Sequence, residues 1–132
     1  MPILLLFDID GTLIRGSRAA RMAFAAAVQA CLGAAIDTST LESAGKTDFR
    51  IMQEILDGQG LDDATIEEDL LACYVQQLVD AVGVDPGQVC PGVRPLLHRL
   101  AAAEGIVLAL GTGNLERCAR IKLAAHDLGG YF

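Results

Sequence analysis

Two acidic residues, Asp8 and Asp10, directly follow the apolar segment Ile3–Phe7, and Gly11 and Thr12 come next. Side chains two positions apart lie on the same face of a strand, so the two carboxylates would lie side by side. They would repel each other unless a cation or a proton lay between them, and a hard, oxygen-ligated ion such as Mg²⁺ would suit them. The alternative is a solvated acidic turn that caps the next helix.

A second candidate group follows the apolar segment Ile106–Leu110. It consists of Thr112, Gly113 and Asn114 in a tight turn, with a helical pattern behind it. The Thr112 hydroxyl and the free N–H groups at the start of that helix would form a site for a phosphoryl oxygen. The alternative is that Thr112 or Asn114 only caps the helix.

The elements around these groups predict an α/β fold. Both apolar segments are typical of parallel strands covered on both faces, and open parallel sheets bind ligands at the carboxyl ends of their strands. Caps and helical spacing predict helices at about 18–32, 41–43, 48–56, from the Asp62-Asp63 pair to about 82, 94–103 and 115–128. Because two strands alone leave most ladder groups unpaired, we expect further chain beyond Phe132.

Two motifs carry a family resemblance. The sequence FDIDGTL at Phe7–Leu13, directly after an apolar strand, resembles the first motif of the haloacid dehalogenase superfamily. The segment Leu110–Asn114 is similar to the second motif, an apolar strand that ends in Thr or Ser. The resemblance implies a Rossmann-like parallel core, with Asp8 as the nucleophile that becomes an aspartyl phosphate. It implies Asp10 as general acid and then general base, and Mg²⁺ held by the Asp8 carboxylate, the Asp10 backbone carbonyl and a later acidic motif.

Asp10 narrows the activity that this resemblance implies. A halide leaves without a proton, whereas an alkoxide needs one, so an acid at this position favours phosphoryl transfer. The expected activity is a Mg²⁺-dependent phosphatase acting on a small phosphorylated metabolite. The alternatives are a phosphonatase or sugar phosphomutase of the same superfamily, an inactive fragment, and a phospho-acceptor module.

The segment between the motifs is too long for a simple connection. About 100 residues separate them, against about a dozen for a crossover. We therefore expect a core at 1–15 and 89–132, and an inserted unit at 16–88. Its helical pattern resembles the all-helical cap of the branch with phosphoglycolate phosphatases and beta-phosphoglucomutases. By that resemblance, Lys46 and Thr47 are candidates for substrate contact, with a solvated helix start as the alternative.

The family's third motif, a Lys or Arg that neutralises the phosphate, is not evident in the sequence. Lys122 is excluded at this stage because it lies in the middle of a predicted helix, whereas that motif normally follows another strand. No downstream acidic pair completes the metal site, since Asp127 stands alone. The chain therefore covers only the first part of the catalytic apparatus.

Composition limits the partners and the cellular location that the chain could have. The formal net charge of −7 and the lack of a basic cluster argue against nucleic acid as a partner. No apolar run approaches the roughly 20 residues of a membrane span, and no secretory signal is evident, so we expect a cytoplasmic protein without membrane contact. The 4 cysteines show no Cys-x-x-Cys spacing, which predicts reduced and mostly buried thiols.

Overall fold

The chain folds as a mixed α/β structure, described by a computed structural model of residues 1–61 and 63–132. In chain order the strands are β1 (Ile3–Phe7), β2 (Ile14–Arg15), β3 (Gln88–Val89) and β4 (Ile106–Leu110). The α-helices are α1 (Ala19–Leu32), α2 (Asp48–Gly58), α3 (Ala64–Val84), α4 (Val93–Ala101) and α5 (Glu116–Ala124). Short 3₁₀ helices lie at Thr38–Thr40 and Gly129–Tyr131.

The two candidate motifs leave the sheet at the same edge. Strands β1 and β4 pair in parallel, with Phe7 opposite Leu110 at the carboxyl end of both. The backbone N–H of Gly111 donates to the Phe7 carbonyl at 2.8 Å, so the pairing continues to the start of both loops. The predicted parallel α/β core is confirmed, and the register explains why residues far apart in sequence meet here.

One face of this sheet is open in the described part of the chain, where β1 pairs only with β4. Leu4 and Leu6 of β1 and Val107 of β4 share this face and are 59%, 63% and 52% exposed, respectively. The prediction that β1 is covered on both faces is therefore wrong for the described residues. The expectation of further strands stays a prediction.

Helices α1, α2 and α3 form a helical insertion (Ala19–Val84) between β2 and β3. They share one apolar core, and the rings of Phe24 on α1 and Tyr74 on α3 stack with centroids 3.9 Å apart. The insertion is thus a packed unit that can hold its own shape beside the sheet. The limits 16–88, predicted for an inserted cap, stay a prediction.

A short neck joins the insertion to the sheet. Strands β2 and β3 pair antiparallel, with Ile14 opposite Val89. The Ser17 hydroxyl donates to the Asp85 carbonyl at 2.7 Å, and the Arg18 N–H donates to the Asp85 carboxylate at 2.9 Å. The segments that lead into and out of the helical insertion are therefore held together. The sequence did not predict this pair, because a two-residue strand has no readable periodicity.

Several predicted boundaries are corrected. The predicted helix at 41–43 is wrong, since the local turn lies at Thr38–Thr40, where the Asp37 carboxylate accepts the Ser39 N–H at 2.9 Å. The last long helix ends at Ala124, not at 128 as predicted, and Asp127, three positions further on, adopts a left-handed φ of 54°. The Asp62 part of the helix start at 62–63 lies outside the described residues.

The thiol prediction is confirmed only in part. All four cysteines are free, but only Cys118 is buried, whereas Cys31 is exposed and Cys73 and Cys90 are half-buried. Across the described residues, no helix has both the length and the hydropathy to cross a membrane.

Candidate active site

Lys122 binds the second acid of the first motif. Its Nζ lies 2.9 Å from both carboxylate oxygens of Asp10 and 2.6 Å from Oδ1 of Asn114. The Lys122 side chain is only 9% exposed, against 58% for Asp10. A partly buried ion pair is screened less by salt than a surface pair, and charge-assisted hydrogen bonds are the stronger kind. Lys122 therefore fixes the Asp10 carboxylate and places a positive charge beside it.

Asn114 links the two motifs. Its Nδ2 donates to Asp10 Oδ2 at 2.8 Å and to Thr112 Oγ1 at 2.7 Å, and its backbone N–H donates to Thr112 Oγ1 at 3.2 Å. A threonine hydroxyl has two acceptor sites and one proton to donate. Because Asn114 occupies the acceptor sites, the Thr112 proton is left to donate to an oxygen of a ligand.

Asp8 has a different environment from Asp10. Among the side chains that the structure describes, the exposed Asp8 carboxylate has no ion-pair partner, whereas Asp10 is held by Lys122. Both acids, Thr112 and Lys122 line a single cavity of about 730 Å³. The structure therefore brings together the residues predicted at this edge and gives the two carboxylates distinct surroundings.

Lys46 and Thr47 also line this cavity. Lys46 Nζ pairs with the Glu54 carboxylate at 2.7 Å, and Thr47 Oγ1 accepts the Arg50 N–H at 3.1 Å as the N-cap of α2. Both side chains thus have structural partners, as the alternative interpretation of a helix start requires. Their contact with substrate stays a prediction.

Gly113 is where the helical insertion meets the second motif. A Cβ at Gly113 would lie 2.6 Å from the Lys46 carbonyl oxygen and 3.1 Å from Thr47 Cα. The N–H of Asp48 donates to the Gly113 carbonyl at 2.8 Å. Backbone therefore packs on backbone here, which only a residue without a side chain allows.

Asp48 is buried beside this contact, with 6% of its surface exposed. Its Oδ2 accepts the Leu115 N–H at 2.8 Å, and the Tyr74 hydroxyl donates to its Oδ1 at 3.5 Å. Burial raises the pKa of Asp48, although the Leu115 hydrogen bond and the Lys122 charge act in the opposite direction.

The same contacts correct one prediction about the phosphate site. The N–H groups of Asn114 and Leu115 are bound by Thr112 and Asp48, so they are not free for a ligand as expected. The helix itself begins later, at Glu116. The Thr112 hydroxyl proton remains for a phosphoryl oxygen, the contacts of Asp48 and Thr112 do not involve the N–H groups of Glu116 and Arg117, and phosphate binding by Gly113 and Asn114 stays a prediction.

Sequence reasoning missed Lys122 and Asp48 as site residues. A signal for Lys122 exists, because the residue lies on the same helical stripe as the buried Cys118 and Ala119. A lysine on the buried stripe of a helix behind a candidate site needs an anionic partner. Asp48 gives no comparable signal, because an acid in the first turn of a helix is common on solvent-exposed surfaces.

The described residues can offer Mg²⁺ a partial ligand set. Both Asp10 carboxylate oxygens bind Lys122, which leaves the Asp8 carboxylate and the Asp10 backbone carbonyl for the ion. No group of three or more His, Cys, Asp or Glu side chains suited to a metal occurs among the described residues. Mg²⁺ commonly uses one or two carboxylates and takes its other ligands from water and substrate phosphate, so the residues present fit it.

Comparisons with known proteins bear on the family and the fold of the chain. The family model described as a hydrolase, haloacid dehalogenase-like hydrolase, matches residues 4–132. None of the curated protein sequences compared with the chain is significantly similar to it. A crystal structure from Clostridium difficile named "Putative Phosphatase" is similar in fold, with a TM-score of 0.59 and 18% identity over 98% of the chain. The chain spans 57% of the length of that structure.

Proposed function

Because the chain belongs to the haloacid dehalogenase-like hydrolases, we propose that it is a Mg²⁺-dependent phosphatase of a small phosphate monoester. The observation that carries this proposal is the contrast between the two acids in one cavity. Among the residues that the structure describes, the exposed Asp8 has no cationic partner, whereas Asp10 is fixed by Lys122 and Asn114. This difference suits a nucleophile next to a proton-transfer group.

The first half of the reaction forms a phosphorylated enzyme. The Asp8 carboxylate attacks phosphorus, the bond between phosphorus and the ester oxygen breaks, and that oxygen takes a proton from Asp10, which has to be protonated when substrate binds although Lys122 stabilises its carboxylate. The product alcohol then leaves. The Thr112 hydroxyl donates to an anionic oxygen at this stage, and the positive charge of Lys122 in the same cavity also stabilises the negative charge that develops.

The second half restores the enzyme. Asp10, now ionised, takes a proton from a water molecule that attacks phosphorus, and the bond between phosphorus and the Asp8 oxygen breaks. Inorganic phosphate is released, and both acids return to their starting states. The Asp8 carboxylate and the Asp10 carbonyl would hold Mg²⁺, whose charge would offset the repulsion between carboxylate and phosphate.

The helical insertion acts as a cap in this proposal. It supplies Phe24, Leu41 and Ile51 to the cavity wall, together with the cationic Arg21 and Lys46. A cavity of about 730 Å³ lies in the usual range for small-molecule sites. Such a cover keeps bulk water away from the phosphorylated intermediate.

Release of phosphate from an aryl phosphate in the presence of Mg²⁺ tests the proposal. We expect Asp8→Asn to lower kcat about a thousandfold or more, because the amide is not a nucleophile. Asp80→Asn is the matched control, since Asp80 is an exposed acid on α3, and it should leave the rate unchanged. Equal rates for both variants, or no hydrolysis by the unmodified chain with Mg²⁺, would overturn the proposed function.

A further inference from the structure

Asp48 lies on the helical insertion, yet it binds the second motif through two separate atoms. Its backbone N–H donates to the Gly113 carbonyl at 2.8 Å, and its Oδ2 accepts the Leu115 N–H at 2.8 Å. The two bonds run in opposite directions and flank Asn114 on both sides. We call this pair of hydrogen bonds the Asp48 clasp.

Asn114 is the residue that the clasp encloses. Its side chain joins Thr112 Oγ1, Asp10 Oδ2 and Lys122 Nζ, with all three distances between 2.6 and 2.8 Å. Hydrogen bonds of this kind depend on the direction of the donor as well as on distance. A rotation of the peptide on either side of Asn114 would break these contacts.

Because Asp48 is buried, breaking the clasp would destabilise the folded state. The carboxyl group is almost fully enclosed, and a buried carboxylate without partners is strongly unfavourable. Its hydrogen-bond partners in the described structure are the Leu115 N–H and the Tyr74 hydroxyl. Asp48 therefore has the Leu115 N–H as a partner only while α2 sits against the Gly113–Leu115 segment, whereas Tyr74 lies on α3 within the insertion itself.

We propose that Asp48 is a positioning residue that couples the seating of the helical insertion to the geometry of Asn114, Thr112 and Asp10. Asp48 does not touch the reacting atoms. It fixes the loop whose side chains do, so the site is assembled when the insertion is seated and loosens when it lifts. The catalytic part of this inference rests on the proposed phosphatase function, whereas the clasp does not.

Amide hydrogen exchange tests the clasp without any activity. In Asp48→Ala the Leu115 amide should exchange at least about tenfold faster than in the unmodified full chain, because its acceptor is gone. In Asp48→Asn the amide oxygen can still accept, so exchange should stay within about threefold of the unmodified chain. Equal Leu115 exchange in Asp48→Ala and the unmodified chain would overturn the clasp, whatever the activity.

Phosphate release from an aryl phosphate tests the coupling. We expect Asp48→Ala to lower kcat/KM about tenfold and Asp48→Asn to restore it to within about threefold, which a simple loss of stability would not do. Asp63→Ala is the control, because Asp63 caps α3 by accepting the Thr65 N–H at 2.8 Å and lies away from the cavity. An equal loss of kcat/KM in Asp63→Ala and Asp48→Ala would contradict a positioning role.

A second variant removes the other partner of the clasp. Leu115 has a φ of −56°, which proline adopts, so Leu115→Pro removes the N–H with little backbone strain at that residue. Leu115→Ala controls for the lost side chain. The double variant Asp48→Ala/Leu115→Pro should be no less active than the poorer single variant, since both remove the same bond. Fully additive losses would overturn the proposal. If the unmodified chain releases no phosphate, the proposed function fails while Leu115 exchange still decides the clasp.

Discussion

The Lys122 ammonium lies 2.9 Å from both carboxylate oxygens of Asp10, although 112 positions separate the two residues in the chain. The contact forms because α5 follows the second motif and packs beside the first one. It gives Asp10 a fixed orientation and leaves Asp8 as the acid without an ion-pair partner among the described residues. Lys122 and Asn114 together give Asp10 surroundings that differ from those of Asp8.

Replacement of Lys122 tests its contribution to these surroundings. We expect Lys122→Ala to lower kcat/KM for an aryl phosphate about a hundredfold, because both the hold on Asp10 and a positive charge in the cavity are lost. Arg120→Ala is the matched control, since Arg120 lies on the same helix, is 70% exposed and pairs with Glu116. Steady-state kinetics of both variants decide the matter. A similar loss in the two would indicate a general effect of charge on α5.

Asn114 connects the motifs, so its loss should also impair the site. We expect Asn114→Ala to lower kcat/KM about tenfold, because Thr112 and Asp10 lose their shared donor. Asn114→Asp should be worse than Asn114→Ala, since it places a second negative charge next to Asp10. Steady-state kinetics of the two variants at one pH test this order. A kcat/KM for Asn114→Asp that is equal to or higher than that of Asn114→Ala would contradict it.

Gly113→Ala tests the close packing of backbone on backbone. The new Cβ would meet the Lys46 carbonyl oxygen at 2.6 Å, so we expect a loss of about 1–3 kcal/mol in the free energy of unfolding. Gly58→Ala is the control, because Gly58 is a helical residue of α2 with no atom within 4 Å of an added Cβ. Urea unfolding should show Gly58→Ala as stable as the unmodified chain, or more so. An unchanged free energy of unfolding in Gly113→Ala would disprove the close contact.

The buried Asp48 predicts an unusual dependence of stability on pH. Burial holds its folded pKa above the ordinary 3.8, and the neighbouring Leu115 N–H and Lys122 ammonium only partly oppose this. The folded state then binds a proton more tightly than the unfolded chain does. Its contribution to stability is present below the unfolded pKa and is lost as pH rises through the folded pKa.

Urea unfolding of the unmodified chain and of Asp48→Asn, from pH 7 down to pH 4, measures this contribution. Tyr74 and Cys118 also contact this region, but burial raises their pKa values, that of Cys118 to about 12, so neither titrates in this range. Relative to the variant, the unmodified chain should gain stability as pH falls. A relative loss of stability would mean that the folded pKa is lowered.

The sequence predicts those features of the fold that depend on local sequence patterns, such as where the apolar strands end. Asp8 and Thr112 each follow an apolar strand, and parallel strands end at a common edge, so the convergence of the motifs can be foreseen. The Lys122–Asp10 contact cannot, because it depends on how α5 packs across the sheet. Asp48 was missed for a similar reason, since it lies on α2 of the helical insertion whereas its partner Leu115 lies in the loop after β4. Lys46 is the opposite case. The sequence made it a candidate for substrate contact, and the structure pairs its side chain with Glu54.

Detection of phosphorylated Asp8 tests the central claim most directly. The full chain is mixed with an aryl phosphate and Mg²⁺, quenched in acid within the first turnovers, and its Asp8-containing peptide is analysed by tandem mass spectrometry. We predict a phosphoryl group on Asp8, which disappears within seconds of substrate exhaustion and is absent from Asp8→Asn. Phosphate release that continues in Asp8→Asn, with no phosphorylated peptide in the unmodified chain, would contradict the account.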